Sequence, residues 1–458
     1  MDLGERVPRP ARPAAPRRWS PALLACLLSV AAATIPGGGC GALRRAPAPP
    51  RLDAAQRELN LRSFEYAWET IRDKHWDPEL NGVDWPGVRD EFLPRIAAAE
   101  TMAEARAAMV DMLSRLDQSH FGIFPPDAYE VVAEASTGRK GQGGVGLEAR
   151  VIEDQALVTR LEPGSPAEQA GVGLGWEILA VEGKKLAPSL ARIREQFQDK
   201  TTLEVMLAGI VAARLEGEIG DARRVLFRDG EGREVTRDLV LVAPRGRWSQ
   251  LGNLPPLPVW IEARRIEERV GYIAFNVFLD PQNLMETFSE AVASFMDADG
   301  IIIDVRGNPG GIGAMAMGMA GWFVEEKGRR LGTMHTRGNE MNFVVSPRAR
   351  VFSRSLAILQ DGASGSTTEI FAGGLQDLGR ARVFGTRSAG AVLPAMIERL
   401  PNGDGFLYAI ANYVSAAGAV LEGHGVLPDV EAPHTRAALL AGRDAALEAA
   451  LAWIREAS

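Results

Sequence analysis

Apolar residues recur at helical spacing soon after residue 51. Phe64, Ala67, Trp68 and Ile71 fall on one face, and a second helix is predicted from Met102 to Leu116. Asp77-Pro78 and Asn81-Gly82 mark turns between them. The pattern predicts a small helical domain over residues 52–135, carrying the run Asp117-Gln118-Ser119-His120-Phe121. From about Gly141 the period shortens to that of strands, through GGVGLEARV, ALVTRLEP, Trp176–Val181, Arg224–Phe227 and Glu234–Val242, with helices at Ser189–Phe197 and Leu203–Leu215. A mainly-β unit over residues 141–245 is expected. Beyond the Pro-rich stretch 253–259, strands Val270–Phe275, Gly300–Val305, Leu356–Leu359 and Arg382–Phe384 alternate with helices Leu284–Met296, Ala314–Val324 and Thr367–Asp377. That alternation predicts an α/β core over residues 255–440, with helices packed on a central sheet and a further helix in 441–458.

Composition narrows the class. A chain of 458 residues exceeds one ordinary core, and 46% hydrophobic with 24% charged residues is the balance of a globular protein. A formal net charge of −8 and no long basic run argue against nucleic acid as the main partner. At the N-terminus, Arg17 and Arg18 precede an apolar run from Ala22 to Ile35 that is too short to span a membrane and ends in Pro36-Gly37-Gly38-Gly39-Cys40. Residues 1–40 read as a secretory signal and 41–51 as a tether, which places the protein in the periplasm or cell envelope. Cys40 resembles the acylated cysteine of bacterial lipoproteins, although Gly37 stands where such signals carry Leu; lipid anchoring at Cys40 and ordinary cleavage near Ala33 both stay open. The other cysteine, Cys26, lies inside the signal, so no intrachain disulfide is expected. The five histidines are scattered without ligand spacing, so neither metal nor cofactor is expected.

Two segments carry candidate chemistry. DGASGSTTEIFAGG is a small-residue loop entering a helix, a place where a serine hydroxyl has backbone N–H groups beside it, as a nucleophile needs. Ser364 and Ser366 lie in it, and Ser366-Thr367-Thr368-Glu369 also spells a capping box with Ser366 as N-cap. The strand Gly300–Val305 runs into Arg306-Gly307-Asn308-Pro309-Gly310-Gly311, a glycine turn able to aim a backbone N–H at an oxyanion.

Two resemblances then sharpen the reading. Residues 141–245, through Pro163-Gly164-Ser165-Pro166-Ala167 and Ala170-Gly171, resemble a PDZ domain, which makes Gly144, Val145, Gly146 and Leu147 the loop that cradles a peptide C-terminus. Helix Leu203–Leu215 departs from a minimal PDZ domain. Asp304-x-Arg306-x-Asn308-x-Gly310-Gly311, Ser366-x-x-Glu369-Ile370, the strand ending at Gly385 and Glu422-Gly423-x-Gly425-Val426 resemble the tail-specific, C-terminal processing serine peptidases. That family implies an α/β core of crotonase- or ClpP-like ββα units, a helical cap and an inserted PDZ domain. Its usual base is a lysine 25 residues after the serine; here that position is Ala391, and no lysine follows Lys327. The chain is more similar to the tricorn-like branch, which implies a relay from Glu422 through Ser119 to the base His120 and the nucleophile Ser366. The N–H groups of Gly311 and Thr367 would then form the oxyanion hole, with His424 a rival base. The expected function is an exported serine endopeptidase acting on peptides or proteins, in part by their C-termini. The alternative is an inactive peptide- or lipid-binding protein on the same fold.

Overall fold

A computed structural model describes residues 50–126, 142–250 and 256–458. The expected export signal, Cys26, Cys40 and most of the tether lie outside the described residues.

Three helices form the cap, where two were expected: α1 (Ala54–Lys74), α2 (Trp85–Ala98) and α3 (Met102–Ser114). Asp53 opens α1 with a reciprocal capping box, its carboxylate accepting from Gln56 N while the Gln56 side chain accepts from Asp53 N. Pro86 and Pro94 hide α2 from a sequence reading, yet Pro86 sits in the first turn, where its missing N–H costs nothing. Phe64, Ile71, Trp85, Phe92, Met109 and Leu113 share one core. Trp68 and Trp85 lock α1 to α2, each indole N–H donating to the other's backbone carbonyl at 2.9 and 3.0 Å. The cap ends in a short strand, β1 (Gly122–Phe124).

The inserted β-domain holds an antiparallel sheet of β2 (Leu147–Ile152), β3 (Gln155–Leu161), β4 (Glu177–Val181), β5 (Ala222–Arg228) and β6 (Glu234–Val240), in that order, with helices α4 (Ala187–Phe197) and α5 (Leu203–Leu215) between β4 and β5. Entry and exit meet at one neck, where Gly144 and Val242 exchange backbone hydrogen bonds of 2.9 and 3.0 Å. Helix α5 is not an appendage to this domain. It runs against β2, and the two line a cavity of about 290 Å³ together with Trp260 and Pro309 of the core.

In the core, β7 (Ile261–Ile266) pairs antiparallel with β8 (Val270–Phe275), and helix α6 (Pro281–Ser294) leads to β9 (Gly300–Asp304). Helix α7 (Gly313–Ala320) is shorter than expected and continues only as turns, with Val324 N donating to the Ala320 carbonyl at 3.1 Å, and at Gly321 a Cβ would sit 2.3 Å from the Ser346 carbonyl oxygen. Then follow β10 (Arg330–Thr336), β11 (Glu340–Val344), β12 (Ser355–Gln360), α8 (Thr367–Asp377), β13 (Arg382–Gly385), β14 (Ala395–Arg399), β15 (Gly405–Ala409), β16 (Ala411–Ser415), β17 (Val430–Glu431) and α9 (Ala445–Ala457). The main sheet runs β7-β8-β9-β12-β13-β17, parallel from β8 onward. Strand β9 is buried on both faces: Ile301 and Ile303 pack with Phe275, Phe288 and Phe323, while Ile302 packs with Tyr272, Leu359 and Ile454 of α9. Burial of this kind is worth about 1.5–3 kcal/mol per large aliphatic side chain and explains the uninterrupted apolar run.

Two small antiparallel sheets, β11-β10-β16 and β1-β15-β14, were not anticipated. In the second, the strand that ends the cap joins the core, Ile123 standing opposite Phe406. Cap and core thereby become one packed body, since Leu393, Phe406 and Tyr408 complete the cap's hydrophobic cluster.

Candidate active site

The glycine turn after β9 is held from beneath by Asn308, which is fully buried. Its Nδ2 donates to the Phe275 carbonyl at 3.1 Å and its Oδ1 accepts from Gly310 N at 3.0 Å. Its own carbonyl accepts from Gly365 N at 3.0 Å and from Thr368 Oγ1 at 2.9 Å, which stitches the turn to the serine loop. Gly310 then abuts that loop: a Cβ there would lie 2.7 Å from both Ser366 Cβ and Thr367 N. Among the described residues, neither the Gly311 nor the Thr367 N–H has a hydrogen-bond acceptor; Thr367 follows Ser366, and its Oγ1 donates to the Gly311 carbonyl at 2.7 Å. Paired free amides beside a hydroxyl can stabilise an oxyanion.

The two serines of the loop separate cleanly. Ser364 is fully buried and donates to the Val305 carbonyl at 2.8 Å, a structural bond, whereas Ser366 is partly exposed. Ser366 precedes α8 at φ 55°, ψ −120°, not in the extended conformation usual for an N-cap. Such a conformation is costly for a non-glycine residue and raises the side chain off the helix end. The returning half of the expected capping box does form, Glu369 Oε2 accepting from Ser366 N at 2.9 Å. Glu369 is fully buried and also accepts from Ser388 Oγ (2.6 Å), Gly390 N (2.8 Å) and Ala391 N (3.0 Å). Burial pushes its carboxyl up to about 7 against these bonds, which favour the anion. Its network was not foreseen beyond the cap.

The loop after α3 brings Ser119 and His120 to Glu422. Ser119 Oγ lies 2.6 Å from His120 Nδ1 and donates to Glu422 Oε2 at 2.9 Å, while Ser119 N donates to Glu422 Oε1 at 2.7 Å. A hydroxyl has one proton; given to Glu422, it leaves Ser119 Oγ to accept from Nδ1–H. His120 Nε2 therefore carries a lone pair, the tautomer a base requires. Burial drives the His120 pKa down to about 3, so the ring is neutral, and burial raises the Glu422 carboxyl against its hydrogen bonds from Ser119 and Val392. His120 is buried and takes a left-handed φ of 62°.

Among the described residues no hydrogen bond joins His120 to Ser366; the link between them is indirect. Ser366 N donates to the Ala391 carbonyl at 2.8 Å, and Val392 N, in the same peptide group, donates to Glu422 Oε2 at 3.0 Å. Ala391 is fully buried in a small cluster with Ala389 and Val205 of α5. His424 is exposed, with Nδ1 2.9 Å from the Glu422 carbonyl.

The β-domain also touches this region. Thr201 Oγ1 would be 2.6 Å from a Cβ at Gly390, Lys200 pairs with Asp117, and Glu204 lies against Gly362. Arg150 of β2 donates to Asp361 Oδ2 at 2.8 Å, and Asp361 Oδ1 accepts from Gly307 N at 2.8 Å. Nothing in the local sequence pointed to these contacts, which depend on tertiary placement. In the loop expected to cradle a carboxylate, Gly144 N is spent on the Val242 carbonyl, so Gly144 anchors the neck and presents no donor. At Gly146 a Cβ would lie 2.2 Å from Ser165 Cβ, and Leu147 begins β2 beside the cavity. Val145 is buried, its carbonyl accepting from Ala167 N at 3.1 Å.

Residues 269–432 match peptidase family S41, and residues 60–114 match the tricorn protease C1 domain. A carboxyl-terminal-processing protease of Synechocystis sp. is 26% identical over 80% of this chain and 80% of its own length. The chloroplastic carboxyl-terminal-processing peptidase 2 of Arabidopsis thaliana is 26% identical over 82% of this chain and 69% of its own. Among solved structures, a photosystem II D1 C-terminal processing protease superposes with TM-score 0.54 at 22% identity, covering 83% of this chain and 93% of that one. Mature CPAF superposes with TM-score 0.59 at 14% identity, covering 88% and 97%. These two likenesses are of fold.

Proposed function

We propose that the chain, a serine-type peptidase by its match to peptidase family S41 and its carboxyl-terminal-processing relatives, is an exported endopeptidase with a Ser366-His120-Ser119-Glu422 relay. The observation that carries the relay is Ser119 Oγ bonded at once to His120 Nδ1 and Glu422 Oε2. On this reading His120 Nε2 takes the Ser366 proton as Oγ attacks the scissile carbonyl. Glu422, through Ser119, holds the tautomer and favours the imidazolium that forms, and His120 then protonates the leaving amine. The N–H groups of Gly311 and Thr367 receive the oxyanion. Water, deprotonated by the same imidazole, releases the acyl group and regenerates Ser366. Approach of His120 to Ser366 is part of the cycle, because no hydrogen bond joins the two.

The inserted β-domain is on this reading a PDZ domain that captures peptide or protein C-termini. The cavity between β2 and α5 supports it, being walled by Leu147, Ala149, Ala208 and Ala212 and reaching the core turn at Pro309. Labelling of the full chain by a fluorophosphonate probe tests the assignment. Labelling lost in both Ser366→Ala and His120→Ala is expected; absence of wild-type labelling across neutral pH would favour an inactive peptide-binding protein.

A further inference from the structure

His75 ends α1 and takes no part in the relay, yet it grips the loop that carries the base on both sides. The ring is fully buried. Its Nε2 lies 2.9 Å from Gln118 Oε1, the residue before Ser119, and its face stacks on Phe121, the residue after His120, at 5.8 Å and 18°. With Gln118 Oε1 turned to the ring, Nε2 carries a proton, while Nδ1 lies 3.1 Å from Asp77 N and 3.0 Å from the Asp77 carbonyl.

The grip matters because the loop is strained. Asp117 and His120 both take left-handed φ values, 53° and 62°, and neither is glycine. Conformations of this kind cost about 1–3 kcal/mol each and persist only where the surroundings over-determine them. Glu422 fixes the middle of the loop through Ser119, and Asn81 Nδ2 ties its start by donating to the Leu116 carbonyl at 3.1 Å. Gln118 and Phe121, the residues flanking the Ser119–His120 pair, are held by His75.

We propose that His75 is a positioning residue for the peptidase reaction: by binding Gln118 and stacking on Phe121 it sets the backbone from which His120 addresses Ser366. The inference rests on the assignment of His120 as the base. A displacement of about 1 Å in a catalytic group can cost 10²-fold in rate, so the effect belongs in the chemical step and not in binding.

The test compares His75→Leu, His75→Gln, Gln118→Ala and the His75→Leu/Gln118→Ala double variant in the full chain. The maximal rate and half-saturating concentration of fluorophosphonate labelling are measured on protein shown to be folded by circular dichroism. We expect His75→Leu and Gln118→Ala each to lower the maximal rate about tenfold or more, with half-saturation within twofold of wild type. The double variant should be no slower than the worse single variant, and His75→Gln, which offers an amide N–H near the Nε2 position, should recover most of the rate. Should His75→Leu fail to fold, Gln118→Ala and His75→Gln still decide the matter. Wild-type rates in Gln118→Ala, or single losses that multiply in the double variant, overturn the proposal. Ser366→Ala keeps the two readings apart: if it still labels, the nucleophile assignment has failed; if it is silent while Gln118→Ala labels at the wild-type rate, only the role of His75 has.

Discussion

Ser366 and Glu422 are bound to opposite sides of one peptide group. The Ala391 carbonyl accepts from Ser366 N at 2.8 Å, and Val392 N donates to Glu422 Oε2 at 3.0 Å. The nucleophile's backbone and the far end of the relay are thus placed by the same rigid plane. Removing the middle of the relay should leave this frame intact and affect chemistry alone. Ser119→Ala and Glu422→Gln are each expected to lower kcat by about 10²- to 10⁴-fold on a peptide substrate, with KM changed less than threefold. Steady-state kinetics check this.

Ala391 occupies the position of the lysine in the Ser-Lys branch, but its methyl group packs with Ala389 and Val205 in a fully buried site. Ala391→Lys in a His120→Ala background is therefore expected to stay inactive. It should also lose about 3 kcal/mol or more of stability, since an ammonium ion would be buried there without a provided partner. Urea unfolding and the labelling assay read the two effects.

Gly310 has no room for a side chain. A Cβ would meet Ser366 Cβ and Thr367 N at 2.7 Å, and its φ of 99° is one that L residues rarely adopt. Gly310→Ala should push the turn away from the serine and cut kcat by at least about 10²-fold, comparable to loss of an oxyanion donor. Melting temperature should fall as well. Near-wild-type kcat would detach the turn from the chemistry.

Two glutamates set the pH response. Glu369 titrates at about 7 in the folded protein against an ordinary 4.5, so the native state holds its proton more tightly than the unfolded chain. Its contribution is most favourable below about 4.5 and is lost as pH rises through about 7, amounting to about 3 kcal/mol at most. Glu369→Gln should remove that slope, which urea unfolding at a series of pH values between 4.5 and 7 would reveal. Glu422 is also raised by burial, whereas His120 is neutral at pH values well above its lowered value of about 3. The acid limb of kcat should accordingly follow Glu422, lie above the usual carboxylate range, and disappear in Glu422→Gln along with most of the activity.

Four parallel strands were legible because each is largely buried and reads as an apolar run, as Gly300–Asp304 does, whereas Val430–Glu431, short and partly exposed, was not. The two small antiparallel sheets outside the β-domain were not, for their strands are short and their pairing is set by contacts remote in sequence, such as Ile123 with Phe406. Helix α2 was concealed by its prolines. At the site, Ser366, Ser119, His120 and Glu422 were read from motifs, and the structure brings the last three into hydrogen-bonding contact. Glu369 was seen only as half of a cap, because its bonds to Ser388, Gly390 and Ala391 come from another loop. His75 had no signal at all: it lies 43 residues from Gln118, and a buried histidine at a helix end looks like any other.

The neck at Gly144 and Val242 gives the chain a particular modularity. The inserted domain leaves and returns at that hydrogen-bonded pair and is braced on the rest of the molecule by Arg150 on Asp361 and Val205 on Ala391. The cap is the opposite case: its last strand is woven into the core sheet, and Ser119 meets Glu422 across 303 residues of sequence. A descendant of this chain that exchanges its β-domain must replace the packing that Val205 sets behind Ala391. It cannot exchange its cap without surrendering the histidine.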